Sequence, residues 1–155
     1  MEIKEVPTPE VPIQILLEAD PSVEKIRGYL DRSRCFVATI DGEQVGAYVV
    51  RELSPGRYEL MSIAVAPEHQ RKGNGATLLN HAISTVRDSG AHRLEVGTGT
   101  FGYQLAYYQR AGFRAFAVQT NFFLEHYAEP IYEDGIQHQD MLRLAIVFKD
   151  AGRST

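Results

Sequence analysis

The segment 70–76, near the middle of the chain, has the residue types and spacing of a phosphate-binding loop. An apolar run typical of a strand precedes it, a helical pattern follows it, and its sequence is Gln70-Arg71-Lys72-Gly73-Asn74-Gly75-Ala76. Residues beside each glycine can turn their backbone N–H groups toward one point, and the helix that begins there adds the positive end of its dipole. The spacing therefore predicts a site for a phosphate-containing compound.

Two common phosphate loops do not fit this spacing. A nucleotide P-loop ends in Gly-Lys-Ser/Thr, whereas no lysine follows Gly75. A dinucleotide-binding loop would need a third glycine where the chain has Leu78. The pattern that does fit is Gln/Arg-x-x-Gly-x-Gly/Ala, and Gln70, Gly73 and Gly75 match it at every defined position.

Motifs on both sides of the loop point to one family. Before the loop, a strand pattern ends in Ile63-Ala64-Val65; after it come a short strand pattern at 93–96 and a helix ending Tyr108-x-x-x-Gly112-Phe113. In this order and spacing, the stretch 59–113 resembles the GNAT (Gcn5-related N-acetyltransferase) family, and the chain is similar to a bacterial subgroup with an aromatic and acidic C-terminal segment. The resemblance implies acetyl-CoA as co-substrate and acetyl transfer to a primary amine, by direct attack in a ternary complex. The acceptor is left open between a small molecule and a peptide or protein.

Hydrophobic periodicity and turn residues predict a mixed α/β chain, which is the element order of the GNAT fold. The resemblance implies one domain over 1–155, with a central, mostly antiparallel, twisted sheet of six to seven strands. That sheet is expected to splay between its fourth and fifth strands and to be flanked by about four helices. The predicted strands are 3–6, 35–40, 44–53, 58–65, 93–98, 113–119 and 141–148, and the predicted helices are 10–19, 20–32, 73–88, 102–111 and 121–125.

The resemblance assigns the coenzyme to the strand before the loop and to the loop itself. In the family, the backbone of the fourth strand bonds the pantetheine arm and the loop cradles the pyrophosphate. The two cations of the loop either approach the phosphates or face solvent. An asparagine that many members carry after the fifth strand is replaced here, with Thr100 or Gln104 as substitutes. The predicted cofactor-binding residues are Ile63, Ala64, Val65, Gln70, Arg71, Lys72, Gly73, Asn74, Gly75, Ala76, Thr100 and Gln104.

Two residues are candidates for proton transfer. Tyr108 aligns with the family tyrosine near the CoA sulfur, and a phenol of pKa about 10 is suited to protonating a thiolate; the alternative is a packing aromatic beside Tyr107. Glu59 matches the position where some members place a catalytic glutamate. Many members use a water chain instead, and Glu59 could simply pair with Arg57 or a neighbour.

Two other segments attract functional interpretations. Residues 97–102 spell a literal G-x-G-x-x-G, but too little chain follows for a dinucleotide fold, so a flexible loop that leaves room for a ligand is the favoured interpretation. Residues 121–136 interleave aromatics with acids. They predict either a cation-accepting pocket or a loop that covers the core or meets a second subunit.

Composition narrows the function classes further. The length of 155 residues suits one domain, and the net charge of −4 argues against nucleic acid while mildly suiting a cationic amine. No apolar run approaches the ~18 residues that span a membrane. The start of the chain shows no secretory signal and the single cysteine, Cys35, cannot form an internal disulfide, so a cytoplasmic location is expected.

Several expectations are negative or open. His126, His138 and Asp140 lack metal-site spacing, so we expect no metal and assign both histidines to packing or to the surface. The fold leaves a homodimer open. The competing function is a CoA-binding GNAT module, regulatory or structural, without transferase activity.

Overall fold

The computed structural model describes residues 1–149, which form two compact units. The first comprises Met1–Leu94 together with Phe148 and Lys149, and the second comprises Glu95–Val147. Each unit combines strands with helices, so the predicted mixed α/β class is confirmed. Within the described residues, no helix is both long enough and apolar enough to cross a membrane.

The first unit is built on four antiparallel strands that neighbour one another in the order β1-β2-β3-β4. At the tight turn between the second and third strands, Asp41 and Gly42 have φ of 51° and 81°, as a two-residue hairpin of the primed type requires. The elements are β1 (Glu2–Val6), α1 (Ile13–Leu16), α2 (Val23–Leu30), β2 (Arg34–Ile40), β3 (Glu43–Ser54), β4 (Arg57–Val65) and α3 (Asn74–Asp88).

The core of the first unit lies where α1 and α2 meet the middle strands. Leu16 and Ile26 are fully buried in this core, beside Val37 and Val49. Cys35 belongs to the same cluster at 1% exposure, so it packs as a small buried apolar residue. Burial of this apolar surface is the main stabilising contribution to the unit.

The second unit contains three neighbouring strands in the order β5-β9-β6 and a separate two-stranded hairpin, β7-β8. Glu95 and Arg143, both nearly buried, form an ion pair of 3.3 Å inside it. Counted without the hairpin, the three strands β5, β9 and β6 and the four strands of the first unit make seven, within the predicted six to seven. The elements are β5 (Arg93–Gly99), α4 (Tyr103–Arg110), β6 (Arg114–Gln119), α5 (Phe122–His126), β7 (Tyr132–Glu133), β8 (Ile136–Gln137) and β9 (Met141–Val147).

The predicted helix 10–19 is wrong in extent. The chain instead makes a 3₁₀ turn at Thr8–Glu10 and then the four-residue α1. Pro12 is the cause, because the residue before a proline is driven out of the helical region, and Val11 is extended with ψ of 134°. Most other predicted elements are present, with ends that differ by one or two residues. The hairpin β7-β8 was not predicted.

Candidate active site

Strand β4 carries the first group of predicted site residues. Its side chains alternate between half-buried and buried up to Ser62, and then Ile63 and Ala64 are both buried. β4 also has a bulge: Val49 pairs with Ser62 and Val50 with Leu60, which leaves Met61 unmatched. A bulge of this kind disrupts the ladder locally and increases the twist of the strand.

The loop after β4 is curled by two left-handed residues. Arg71 has φ of 62° and Gly73 has φ of 82°, and only Gly adopts such a value without strain. Two side-chain bonds hold the curl, because Gln70 Nε2 donates to Val65 O at 2.8 Å and Asn74 Nδ2 donates to His69 O at 2.9 Å. The side chains of Gln70 and Asn74 therefore support the loop.

Helix α3 begins directly at this curl without a side-chain cap. Gly73 is its N-cap residue, and the first turn consists of the uncharged Asn74, Gly75, Ala76 and Thr77. The first N–H groups of a helix lack intrahelical partners and lie at the positive end of its dipole. Arg71 and Lys72 are exposed beside them. This arrangement has the chemistry of an anion site.

The far side of α3 is attached to β3 by a polar cluster that sequence reasoning missed. The hydroxyl of the fully buried Tyr48 lies 2.8 Å from His81 Nδ1 and donates to Thr85 Oγ1 at 3.2 Å. Phe36 stacks on Tyr48 with ring centroids 4.6 Å apart, and burial lowers the pKa of His81. The i, i+4 spacing of His81 and Thr85 is the signal that could have indicated a shared face.

Glu59 lies in the middle of β4 and is half-buried. Its register partner on β3 is Arg51. The register therefore gives a geometric basis to the interpretation of Glu59 as a strand residue near a cation. The interpretation of Glu59 as a general base stays open beside it.

Tyr108 lies in α4 and is 4% exposed. The reason for the Tyr-x-x-x-Gly-Phe spacing is visible here: Gly112, with φ of 107°, turns the chain after the helix so that Phe113 packs edge-on against the Tyr108 ring at 5.6 Å. Burial raises the pKa of Tyr108, so the phenol keeps its proton at neutral and moderately alkaline pH. It is a protonated donor in an apolar setting.

The glycine-rich stretch 97–102 requires a correction. The sequence predicts a flexible loop with room for a ligand, yet the space beside all three of its glycines is filled by side chains from later in the chain, with Met141 and Arg143 beside Gly97. A Cβ at Gly99 would overlap the imidazole of His138, and a Cβ at Gly102 would overlap the carboxylate of Glu133. Of the substitutes for the family asparagine, Thr100 is exposed, while Gln104 is half-buried with its Oε1 3.5 Å from Thr98 Oγ1.

His138 is buried, as the packing interpretation predicted, and it bonds Glu133 through Nε2 at 2.9 Å. Among residues 1–149, one group of side chains could offer ligands to a metal ion: Glu43, Glu68 and His69. Their potential ligand atoms lie within 4.8 Å of one another. Both of those glutamates are exposed. Exposed acidic groups are common without an ion, so this group supports no metal site.

A bulged strand, a left-handed loop and an uncapped helix, followed in the chain by a buried tyrosine at a helix end, are the parts of a coenzyme A-dependent acyltransferase. The family model "Acetyltransferase (GNAT) family" matches residues 3–113. The chain belongs to the GNAT acetyltransferase family, which confirms the resemblance.

Three bacterial proteins are among those to which this chain is similar. The "Uncharacterized N-acetyltransferase YvbK" of Bacillus subtilis is 43% identical over 131 residues, 84% of each chain. An "IAA acetyltransferase" structure from Bacillus cereus is 43% identical with a TM-score of 0.90, covering 95% of this chain and 99% of that one. A GNAT acetyltransferase from Elizabethkingia anophelis, solved with acetyl-CoA bound, is 35% identical with a TM-score of 0.91, covering 95% and 97%.

Proposed function

We propose that this chain transfers the acetyl group of acetyl-CoA to a primary amine. The observation that carries the proposal is the start of α3 directly behind the left-handed Arg71 and Gly73, at the place where the family binds pyrophosphate. The acetyl-CoA in the similar Elizabethkingia structure supports the same co-substrate. The family match across 3–113 also supports a single acetyltransferase domain over 1–155, as the sequence predicts.

Roles in binding follow the geometry of the first unit. The backbone of Ile63 and Val65 bonds the pantetheine arm, with Ala64 between them, and the N–H groups around Gly73–Ala76 receive the pyrophosphate. Arg71 and Lys72 add exposed positive charge nearby. Gln70 and Asn74 act through their bonds to Val65 O and His69 O, which keep the loop curled. Thr100 and Gln104 are further proposed coenzyme contacts.

Proton transfer is assigned to two side chains. An alkylammonium of pKa about 10 must lose a proton before its nitrogen can attack, and Glu59 is the proposed general base. Acetyl-CoA supplies an activated thioester whose sulfur leaves as a thiolate. Tyr108 is the proposed general acid, because its buried phenol holds a proton that it can donate.

A thiol-release assay tests the proposal. Acetyl-CoA is supplied with a panel of amines: spermidine, an aminoglycoside, free lysine and a peptide with a free N-terminus. Release that depends on one amine supports the enzyme, whereas stoichiometric CoA binding without release on any of them favours the CoA-binding module. The net charge of −4 favours the cationic members of the panel.

Variants at the two proton-transfer residues test the mechanism. Tyr108→Phe is expected to lower kcat by about 10²-fold while leaving CoA affinity within twofold, because it removes only the acidic hydroxyl. Glu59→Gln is expected to lower kcat and to change the pH–rate profile, because it removes the proposed proton acceptor. An unchanged kcat removes Tyr108 from the mechanism, and a superimposable pH profile removes Glu59.

The remaining assignments are weaker proposals. The buried thiol of Cys35 and the bacterial origin of the relatives support a bacterial, cytoplasmic enzyme. Homodimer formation is left to measurement of the solution mass.

A further inference from the structure

The start of α4 is capped by a carboxylate from thirty residues further along the chain. Its N-cap position is Gly102, which has no side chain to offer. Instead, Glu133 Oε2 accepts the backbone N–H of Tyr103 at 2.9 Å. This bond, followed by the bond from His138, holds the pKa of Glu133 below its ordinary value, so at neutral pH the cap is an ionised, acceptor-only group.

His138 holds that carboxylate in place. Its Nε2 faces Glu133 Oε1 at 2.9 Å and must donate, since an ionised carboxylate only accepts. The imidazole stacks on Phe101 with ring centroids 4.1 Å apart and an interplanar angle of 11°. Its backbone N–H bonds Ile131 O at 2.8 Å, which ties the residue to the β7-β8 segment. The ring therefore has little freedom to rotate.

The other ring nitrogen is informative as well. Nδ1 of His138 is buried and has no hydrogen-bond partner among the described residues. In the neutral ring, Nε2 carries the hydrogen and Nδ1 an unshared pair. A buried polar atom left without a partner is costly, so it marks a place where another requirement decides the residue type. That requirement is the bond from Nε2 to Glu133.

Two glycines complete the arrangement from the other side. Gly99 provides the space that the imidazole occupies, and Gly102 provides the space that the carboxylate occupies. Neither neighbour can move aside easily, because the ring is stacked and the carboxylate bonds both Tyr103 N–H and His138. This packing accounts for the second and third glycines of the spacing that resembles a dinucleotide motif; a Cβ at the first, Gly97, would meet Met141 and Arg143.

We propose that Glu133 and His138 are a positioning pair for acetyl transfer: Glu133 fixes the first turn of α4, and His138 fixes Glu133. The inference rests on the proposed function, in which Tyr108 is the acid. Tyr108 is five residues after Tyr103, about 7.5 Å along the axis. Because α4 has only eight residues, its order depends on contacts at its ends, and the phenol's placement follows that of the first turn.

The test displaces His138 in three ways. His138→Ala removes the ring, His138→Gln keeps a donor side chain, and Gly99→Ala inserts a Cβ where the ring lies. Gly28→Ala is the matched control, because a Cβ there has nothing within 4 Å. Each variant is assayed for kcat and KM with the most reactive amine of the panel, for CoA affinity and stoichiometry by titration, and for amide hydrogen exchange at Tyr103.

The expected pattern separates positioning from a merely structural role. His138→Ala and Gly99→Ala lower kcat by about tenfold or more, since small misplacements of a catalytic group are costly. CoA stoichiometry stays at one and its Kd within twofold, while exchange at Tyr103 accelerates. His138→Gln recovers most of kcat. Gly99→Ala adds no further loss in the His138→Ala background, because the space is then free.

Other outcomes overturn the inference. Unchanged exchange at Tyr103 would show that the pair does not cap α4, and faster exchange with wild-type kcat would show a cap without a positioning role. If the losses in kcat caused by Gly99→Ala and His138→Ala were additive in the double variant, the two positions would act independently, contrary to the inference. Failure of the wild type to turn over any amine would instead overturn the proposed function, and the exchange data would still decide whether the pair caps α4.

Discussion

The most direct test of the phosphate loop is the substitution Gly73→Ala. Gly73 has φ of 82°, and a Cβ there meets nothing within 4 Å, so any effect comes from backbone conformation and not from a clash. For a residue with a Cβ, a left-handed conformation costs about 1–2 kcal/mol. At room temperature this corresponds to a factor of about 5–30 in the population of the curled loop.

That factor carries over to binding. Only the curled loop presents the first N–H groups of α3 in the arrangement described, and the measured Kd equals the intrinsic Kd divided by the competent fraction. We therefore expect Gly73→Ala to raise the Kd for CoA by up to about 5–30-fold. Gly73→Asn should raise it less, because Asn tolerates the left-handed region. Isothermal titration with CoA measures both.

The chain supplies a matched control at the other end of the same helix. Gly90 follows α3 with φ of 88°, and a Cβ there likewise meets nothing within 4 Å. Gly90→Ala should therefore lower thermal stability about as much as Gly73→Ala while leaving the Kd for CoA unchanged. Equal effects of the two variants on Kd, or no effect of Gly73→Ala, would refute the argument that this loop binds the coenzyme.

Three further predictions concern stability and reactivity. Cys35 should resist a thiol reagent in the native protein and react with one equivalent in denaturant, because it is 1% exposed and burial raises its pKa; rapid native reaction would contradict this. Ser22→Ala should lower stability by about 1 kcal/mol, or Tm by about 2–4 °C, since Ser22 Oγ accepts the Lys25 N–H at the start of α2; an unchanged Tm would discount that cap. The lowered pKa of Glu133 contributes stability that is present above the unfolded-state value near 4.5 and lost as pH falls through the folded-state value. The Tm gap between wild type and Glu133→Gln should therefore close in acid, and a gap that widens would reverse the sign of this reasoning.

Much of the fold could be predicted because its signals are local. The turn Asp41-Gly42 between two apolar runs predicts the β2–β3 hairpin, and both residues have the positive φ that this turn needs. The same dipeptide at 134–135 has the same geometry, with φ of 52° and 78°, but its strands are two residues each and give no periodic pattern. At Pro12 the apolar spacing favoured a helix, and the steric effect of proline on Val11 prevailed.

In the candidate site, too, local features could be predicted from the sequence and contacts between distant residues could not. The strand–loop–helix arrangement at 57–88 was predictable because its strand, its glycines and its helix are contiguous in sequence. The filling of the space at Gly99 was not, because His138 lies far along the chain and no period or spacing connects the two. A glycine in the sequence can indicate that there is no space for a Cβ at that position, but it does not indicate which residue occupies the space. The same holds for Tyr48 and His81, which are 33 residues apart.

The carboxylate cap on α4 has a consequence for the newly made chain. Translation adds roughly 5–20 residues per second, so the thirty residues between Tyr103 and Glu133 take about 2–6 s. From the point where Phe113 has been added until Glu133 is added, the emerging chain holds all of the family-matched stretch 3–113 while the first turn of α4 still lacks its cap. A polypeptide released early would thus show the family signature in full with that turn unfinished. The part of the gene that identifies the family is translated before the part that completes the helix.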